Sequence, residues 1–151
     1  MSAFEATTPE GALRPARLLL DEGSGPVSPR YQYSIHLLLQ VAPDAITLER
    51  KIRGGAASGV GAERDDRVPV SAERYLQLAR ELQACGPQAF AADLVGPAEP
   101  RRVGVSFNHF EVRVDDTNVC AVDYLLSRLE LPENAGVRKA IDAFKKLGLE
   151  L

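Results

Sequence analysis

Hydrophobic and polar positions alternate most clearly over residues 31–41, YQYSIHLLLQV. Tyr31, Tyr33, Ile35, Leu37, Leu39 and Val41 fall on one parity, and Gln32, Ser34, His36 and Gln40 on the other, with Leu38 as the single exception. A period of two held over eleven residues predicts a long strand with one buried and one wet face. ARLLLDE (16–22) before it reads as a shorter strand. AITLERKI (45–52) after it reads as a third, with Ile46, Leu48 and Ile52 on one face and Arg50 breaking that face near its end.

The period then changes. In residues 68–87, Tyr75, Leu78, Ala79, Leu82 and Cys85 recur at helical spacing. Ser71 stands as an N-cap, Glu73 lies in the first turn, and Gly86-Pro87 close the element. Residues 88–102 read as a short helical turn followed by a loop. Strand alternation resumes over 102–116. Val103, Val105 and Phe107 lie on one phase and Phe110, Val112 and Val114 on the other, which places a bulge or tight hairpin at Asn108-His109. DDTN (115–118) is a turn, and the chain pairs back as a strand through about Tyr124. Residues 132–151 form a second amphipathic helix, with Val137, Ala140, Ile141, Phe144 and Leu147 as its stripe and Gly148 ending it.

Strands joined by short turns are antiparallel, and a sheet with one apolar face needs one covering layer. The pattern therefore predicts a two-layer α+β fold: an antiparallel sheet of about five to six strands covered by two amphipathic helices. Residues 1–15 read as a flexible N-terminal tail and 16–151 as a single domain, without internal repeats. A chain of 151 residues is long enough to bury a core of its own.

Composition narrows the functional classes. A net charge of −3 argues against a dedicated nucleic-acid binder. The apolar run IHLLLQV is too short to cross a bilayer, and residues 1–15 show no basic start followed by an apolar segment. A cytoplasmic location is expected, with no membrane partner. Fourteen arginines against four lysines suggest a GC-rich, bacterial coding sequence. Cys85 and Cys120 sit in apolar settings and are expected as buried free thiols.

The glycine-rich stretch 53–67, RGGAASGVGAERDDR, invites comparison with phosphate-binding loops. Gly54 and Gly59 have the spacing of the two P-loop glycines, but Val60 and Gly61 follow where Lys and a hydroxyl are required. In GVGAER, Arg64 stands where the dinucleotide fingerprint needs Gly or Ala, and no strand–helix–strand crossover surrounds it. No cofactor is expected. The histidines and cysteines lack the local spacing of a metal site, so no metal is expected either.

What remains is a loop longer than ordinary connections, rich in charge of both signs. The expectation is a non-enzymatic protein-binding module: an inhibitor, immunity, adaptor or regulatory protein using loops and a sheet edge. Its candidate contact residues are Tyr31, Tyr33, Arg53, Arg64, Asp65, Asp66 and Arg67, with the loops 53–67 and 23–30 and the turn 115–118 as candidate contact regions. If the fold scatters those three regions, a shared surface fails. A long antiparallel edge strand also leaves room for a homodimer. The alternative is a small hydrolase-type enzyme in which Cys120, His36, His109 and Asp123 assemble only in the fold.

Overall fold

Alternation becomes pairing in the computed structural model, which describes residues 5–24, 28–55, 57–85 and 108–151. Six strands form: β1 (Ala16–Gly23), β2 (Tyr33–Val41), β3 (Ile46–Gly54), β4 (Arg64–Pro69), β5 (Asn108–Val114) and β6 (Thr117–Tyr124). They make one antiparallel sheet in the order β4-β3-β2-β1-β5-β6. The helices are α1 (Ala72–Ala84), the single turn α2 (Leu126–Leu129) and α3 (Ala135–Glu150). The first four strands are a meander. After α1 the chain returns on the other side of β1, so β1 and β2 are central and β4 and β6 are the edges.

This is the expected α+β architecture. Leu18, Leu20, Ile35, Leu37, Leu39, Leu48, Ile52, Phe110, Val112 and Val122 are all buried on one face of the sheet. Tyr75, Leu78, Ala79 and Leu82 of α1 and Val137, Ala140, Ile141, Phe144 and Leu147 of α3 cover it. Each such side chain withdrawn from water contributes roughly 1.5–3 kcal/mol before ordering entropy is counted. The Phe110 and Phe144 rings meet with centroids 6.2 Å apart. At the start of α1, the Ser71 side chain accepts from the Arg74 amide as the expected N-cap.

Four expectations are corrected in detail. First, the long loop 53–67 is shorter than its composition suggests: β3 continues to Gly54 and ERDDR opens into the edge strand β4. An edge strand with solvent on much of its surface carries no apolar alternation, so periodicity misses it. Second, Gly148 does not end the last helix; α3 runs on to Glu150 with Gly148 buried inside it. A Cβ at Gly148 would lie 2.6 Å from Leu37 Cδ1, so glycine marks a close approach of helix to sheet. Third, Asn108 and His109 pair regularly with Tyr124 and Asp123. The register shift falls between Val112 and Arg113, where β6 carries one extra residue next to the turn. That turn places both Asp115 (φ 52°) and Asp116 (φ 61°) in the left-handed region, as a two-residue hairpin with native twist requires.

The fourth concerns the candidate contact regions. Residues 28–31 and the loop after β3 lie together at one end of the sheet, whereas the 115–118 turn lies at the other. The separation is about the length of β2, roughly 25 Å at ~3.3 Å per residue. A surface shared by all three does not form. The expectations for Val103, Val105, Phe107 and the helical turn in 88–102 lie outside the described residues.

From residue 5 the N-terminal segment makes its own hydrogen bonds. Thr8 N–H donates to Ala12 O, Arg14 N–H donates to Ala6 O, and the Ala6 side chain is buried. Among the described residues, no helix is long and apolar enough to cross a membrane.

Candidate interaction surface

The two tyrosines at the start of β2 have separate fates. Tyr33 points to the helix-covered face, where its hydroxyl donates to Glu22 Oε2 at 3.0 Å. The Tyr124 hydroxyl donates to Glu22 Oε1, and Lys145 Nζ of α3 reaches Oε2, both at 2.8 Å. The Glu22 side chain is wholly shielded from water, so its charge is tolerated only because three donors surround it. Burial, then the Glu22 charge and hydrogen bond, pushes both phenols far above the ordinary tyrosine range. This cluster ties α3 to β1 and leaves Tyr33 half-buried, with its hydroxyl committed to Glu22. Nothing in the local sequence flags Glu22; it is an acid near the end of an apolar strand, where solvent exposure is the usual reading.

Tyr31 stays outside. It closes the 3-10 turn Pro29–Tyr31 and is the large hydrophobic side chain left exposed among the described residues, at 49%. The Arg30 guanidinium stacks 5.0 Å from the centre of its ring. The turn is braced by the glycine-rich loop: Gly55 N–H donates to Gln32 O and Ala57 N–H to Arg30 O, both at 2.8 Å. A Cβ at Gly55 would stand 2.2 Å from the backbone oxygen of Pro29, so only glycine permits this approach. Val60, buried, anchors the loop in the core, while Gly59 and Gly61 take positive φ. Backbone hydrogen bonds thus hold Tyr31 on an ordered platform.

β4 divides the remaining candidates by parity. Arg64 and Asp66 turn toward the helix side: Asp66 receives both Nε and Nη2 of the buried Arg50 at 2.8 Å, and Arg64 Nη2 reaches Leu149 O at 3.4 Å. Arg50 Nη1 also donates to Gly148 O at 3.0 Å and to Leu151 O. The residue that breaks the apolar face of β3 is therefore the clamp on the free carbonyls at the end of α3. Hydrogen bonding from Arg50 holds the Asp66 carboxyl below its ordinary value. Arg53, Asp65 and Arg67 instead lie on the second face of the sheet, which neither α1 nor α3 covers. Arg53 pairs there with Glu63 at 3.3 Å and Asp65 at 3.8 Å.

Across this open face one row of residues runs Asp65, Lys51, His36, Asp21, His109 and Asp123, one from each strand. Both histidines of the chain are in it. His36 Nδ1 lies 2.5 Å from Asp21 Oδ1, and His109 Nδ1 lies 2.7 Å from Asp123 Oδ1. The next row places the half-buried Leu38 beside Leu19 at the middle of the face.

Cys120 belongs to the other side. It is 2% exposed beneath the helices, and burial pushes its thiol up to about 12. The sheet thus separates Cys120 from His36, His109 and Asp123, and the thiol–imidazole pairing of the hydrolase alternative does not assemble. Neither cysteine forms a disulfide, and Cys85, half-buried at the end of α1, donates its thiol to Glu81 O at 3.2 Å. Among the described residues, no group of three or more His, Cys, Asp or Glu side chains is arranged to hold a metal ion.

Compared with protein-family models, with curated proteins and with solved structures, the chain matches none. The functional reading therefore rests on the geometry of its own residues.

Proposed function

We propose that this chain is a protein-binding module of the cytoplasm, acting as an inhibitor, immunity, adaptor or regulatory protein. Its contact surface is centred on Tyr31 and extends onto the open face through Arg53, Asp65 and Arg67. The observation that carries this reading is the exposure of Tyr31 on a braced turn. Tyr and Arg are the residue types that most often dominate interface energetics, and a pre-ordered platform lowers the entropy lost on docking. Charges of both signs around the aromatic centre suit a rim that selects a partner by complementarity. A homodimer belongs to the same proposal through β6. Its one charge is Asp123, whereas β4 carries Arg64, Asp65, Asp66, Arg67 and Pro69, which discourage edge pairing.

The test is capture of a partner from lysate of the source organism by the wild type and by Tyr31→Ser/Arg53→Glu/Arg67→Glu, with folding checked by circular dichroism. A partner held by the wild type and lost by the folded triple variant is the expected result. Retention by the variant would move the surface elsewhere, and capture by neither would remove the binding reading. Light scattering on the same samples reads the dimer.

A further inference from the structure

At the end of the open face remote from Tyr31, a cross-strand row reads Thr47, Gln40, Arg17 and Arg113 on β3, β2, β1 and β5. Elsewhere on this face His36, His109, Lys51 and Arg67 each have an acid opposite on at least one side: Asp21 stands opposite His36 and His109, Asp65 opposite Lys51, which also faces His36, and Glu49 opposite Arg67. Here two guanidinium side chains are directly opposed, an arrangement that is unfavourable without a counterion. Arg113 is partly served: its Nε donates to Asn118 Oδ1 at 2.8 Å and lies 3.8 Å from Glu111 Oε2. Among the described residues, no carboxylate lies within 4.0 Å of Arg17.

The same row walls a hollow of about 420 Å³, within the size range of small-ligand sites. Gln40 and Thr47 add neutral hydrogen-bonding groups, and Pro15 before β1 with Ala42 and Ala45 of the β2–β3 turn adds an apolar side. Asp116 also lines it and makes no ion pair with either arginine.

We infer that this hollow is a binding site for a small organic monocarboxylate. The carboxylate bridges the Arg17 and Arg113 guanidiniums, and the apolar body lies against Pro15, Ala42 and Ala45. A guanidinium presents a planar fork matched to a carboxylate's two oxygens. Glu111 and Asp116 nearby disfavour a second negative charge, which selects a monoanion over a phosphate dianion. The site stands apart from the Tyr31 surface and does not depend on a protein docking there.

The test is a nitrogen-15 NMR titration of the full chain with hexanoate, with hexanol and with inorganic phosphate. Hexanoate is expected to give saturable shifts centred on Arg17, Arg113 and Gln40, with hexanol and phosphate each at least tenfold weaker. Arg17→Gln and Arg113→Gln should each weaken hexanoate at least tenfold, and Arg17→Lys, which keeps the charge and loses the fork, by a smaller factor. Arg67→Gln, at the other end of the face, should bind as wild type. Absence of saturable shifts at those residues, equal binding by Arg17→Gln/Arg113→Gln, or phosphate or hexanol binding as tightly as hexanoate would each overturn the proposal. Relief of like-charge contact should leave the melting temperature of Arg17→Gln at or above that of wild type. If that variant does not fold, Arg113→Gln and Arg17→Lys decide the matter by the same titration.

Discussion

Lys145, one turn from the end of α3, donates to the Glu22 carboxylate of β1 at 2.8 Å, and the acid's side chain has no exposed surface while the lysine side chain keeps 25% of its own. Helix and sheet are thus joined by an ion pair in which one partner is desolvated and the other is not. Lys145→Met leaves the carboxylate buried with only its two phenol donors. The expected loss is about 2–3 kcal/mol by urea denaturation, toward the lower side for a broken buried pair because Lys145 is partly wet. Adding Glu22→Gln to Lys145→Met should restore part of that loss. Strict additivity of the two changes would show the pair to be uncoupled.

Alkali should unfold the protein through its buried and half-buried phenols. Tyr75 is pushed up to about 12 by burial, and Tyr33 and Tyr124 are raised further. Unfolded tyrosine releases its proton near its ordinary value of 10.0, so the folded state retains more protons above that pH. Their contribution to stability is complete below pH 10 and is lost as pH rises toward the folded values. Tyr75 alone should account for about 2–3 kcal/mol by pH 12, at ~1.4 kcal/mol per unit. Its hydroxyl has no hydrogen-bond partner among the described residues. Tyr75→Phe is therefore expected to be at least as stable as wild type at pH 7 and to show a shallower alkaline loss, both read from urea midpoints across pH.

Acid acts on the other clamp. The Arg50 hydrogen bonds hold Asp66 below its ordinary 3.8, so its contribution is complete above that pH and is lost as pH falls through the lower, folded value. Asp66→Asn should be less stable than wild type at neutral pH, and the gap should close only below pH 3.8. A gap that closes at a higher pH would place the titration on another carboxylate.

Gly148→Ala sets two effects against each other. Helix propensity favours alanine by about 1 kcal/mol, but the new methyl would stand 2.6 Å from both Cδ1 and Cδ2 of Leu37, which is fully buried. Overpacking a closed core costs roughly 1–3 kcal/mol. Net destabilisation is expected, relieved when Leu37→Val is combined with Gly148→Ala. A more stable Gly148→Ala would mean that α3 slides outward freely.

Five of the six strands, the two helical stripes and the two-layer architecture were legible in the sequence because each rests on local periodicity. A side chain's face follows from its parity within its own strand, so Ile35, Leu37 and Leu39 could be placed in the core without knowing their neighbours. β4 was not legible: much of RDDRVP stays wet, and it is a strand only because β3 offers it a ladder. Arg50 was visible as an interruption, but its reason lies 98 residues away at Gly148 O. Tyr31 and Tyr33 share a parity and yet divide, one exposed on a loop and one half-buried with its hydroxyl on Glu22, because β2 begins only at Tyr33. Arg17 and Arg113 are unremarkable in sequence and become a pair only when β5 docks on β1. Sequence by itself determined which residues could share a face. Which strands lie side by side, and so which charges meet, was decided by tertiary packing, since that choice depends on contacts between residues far apart along the chain.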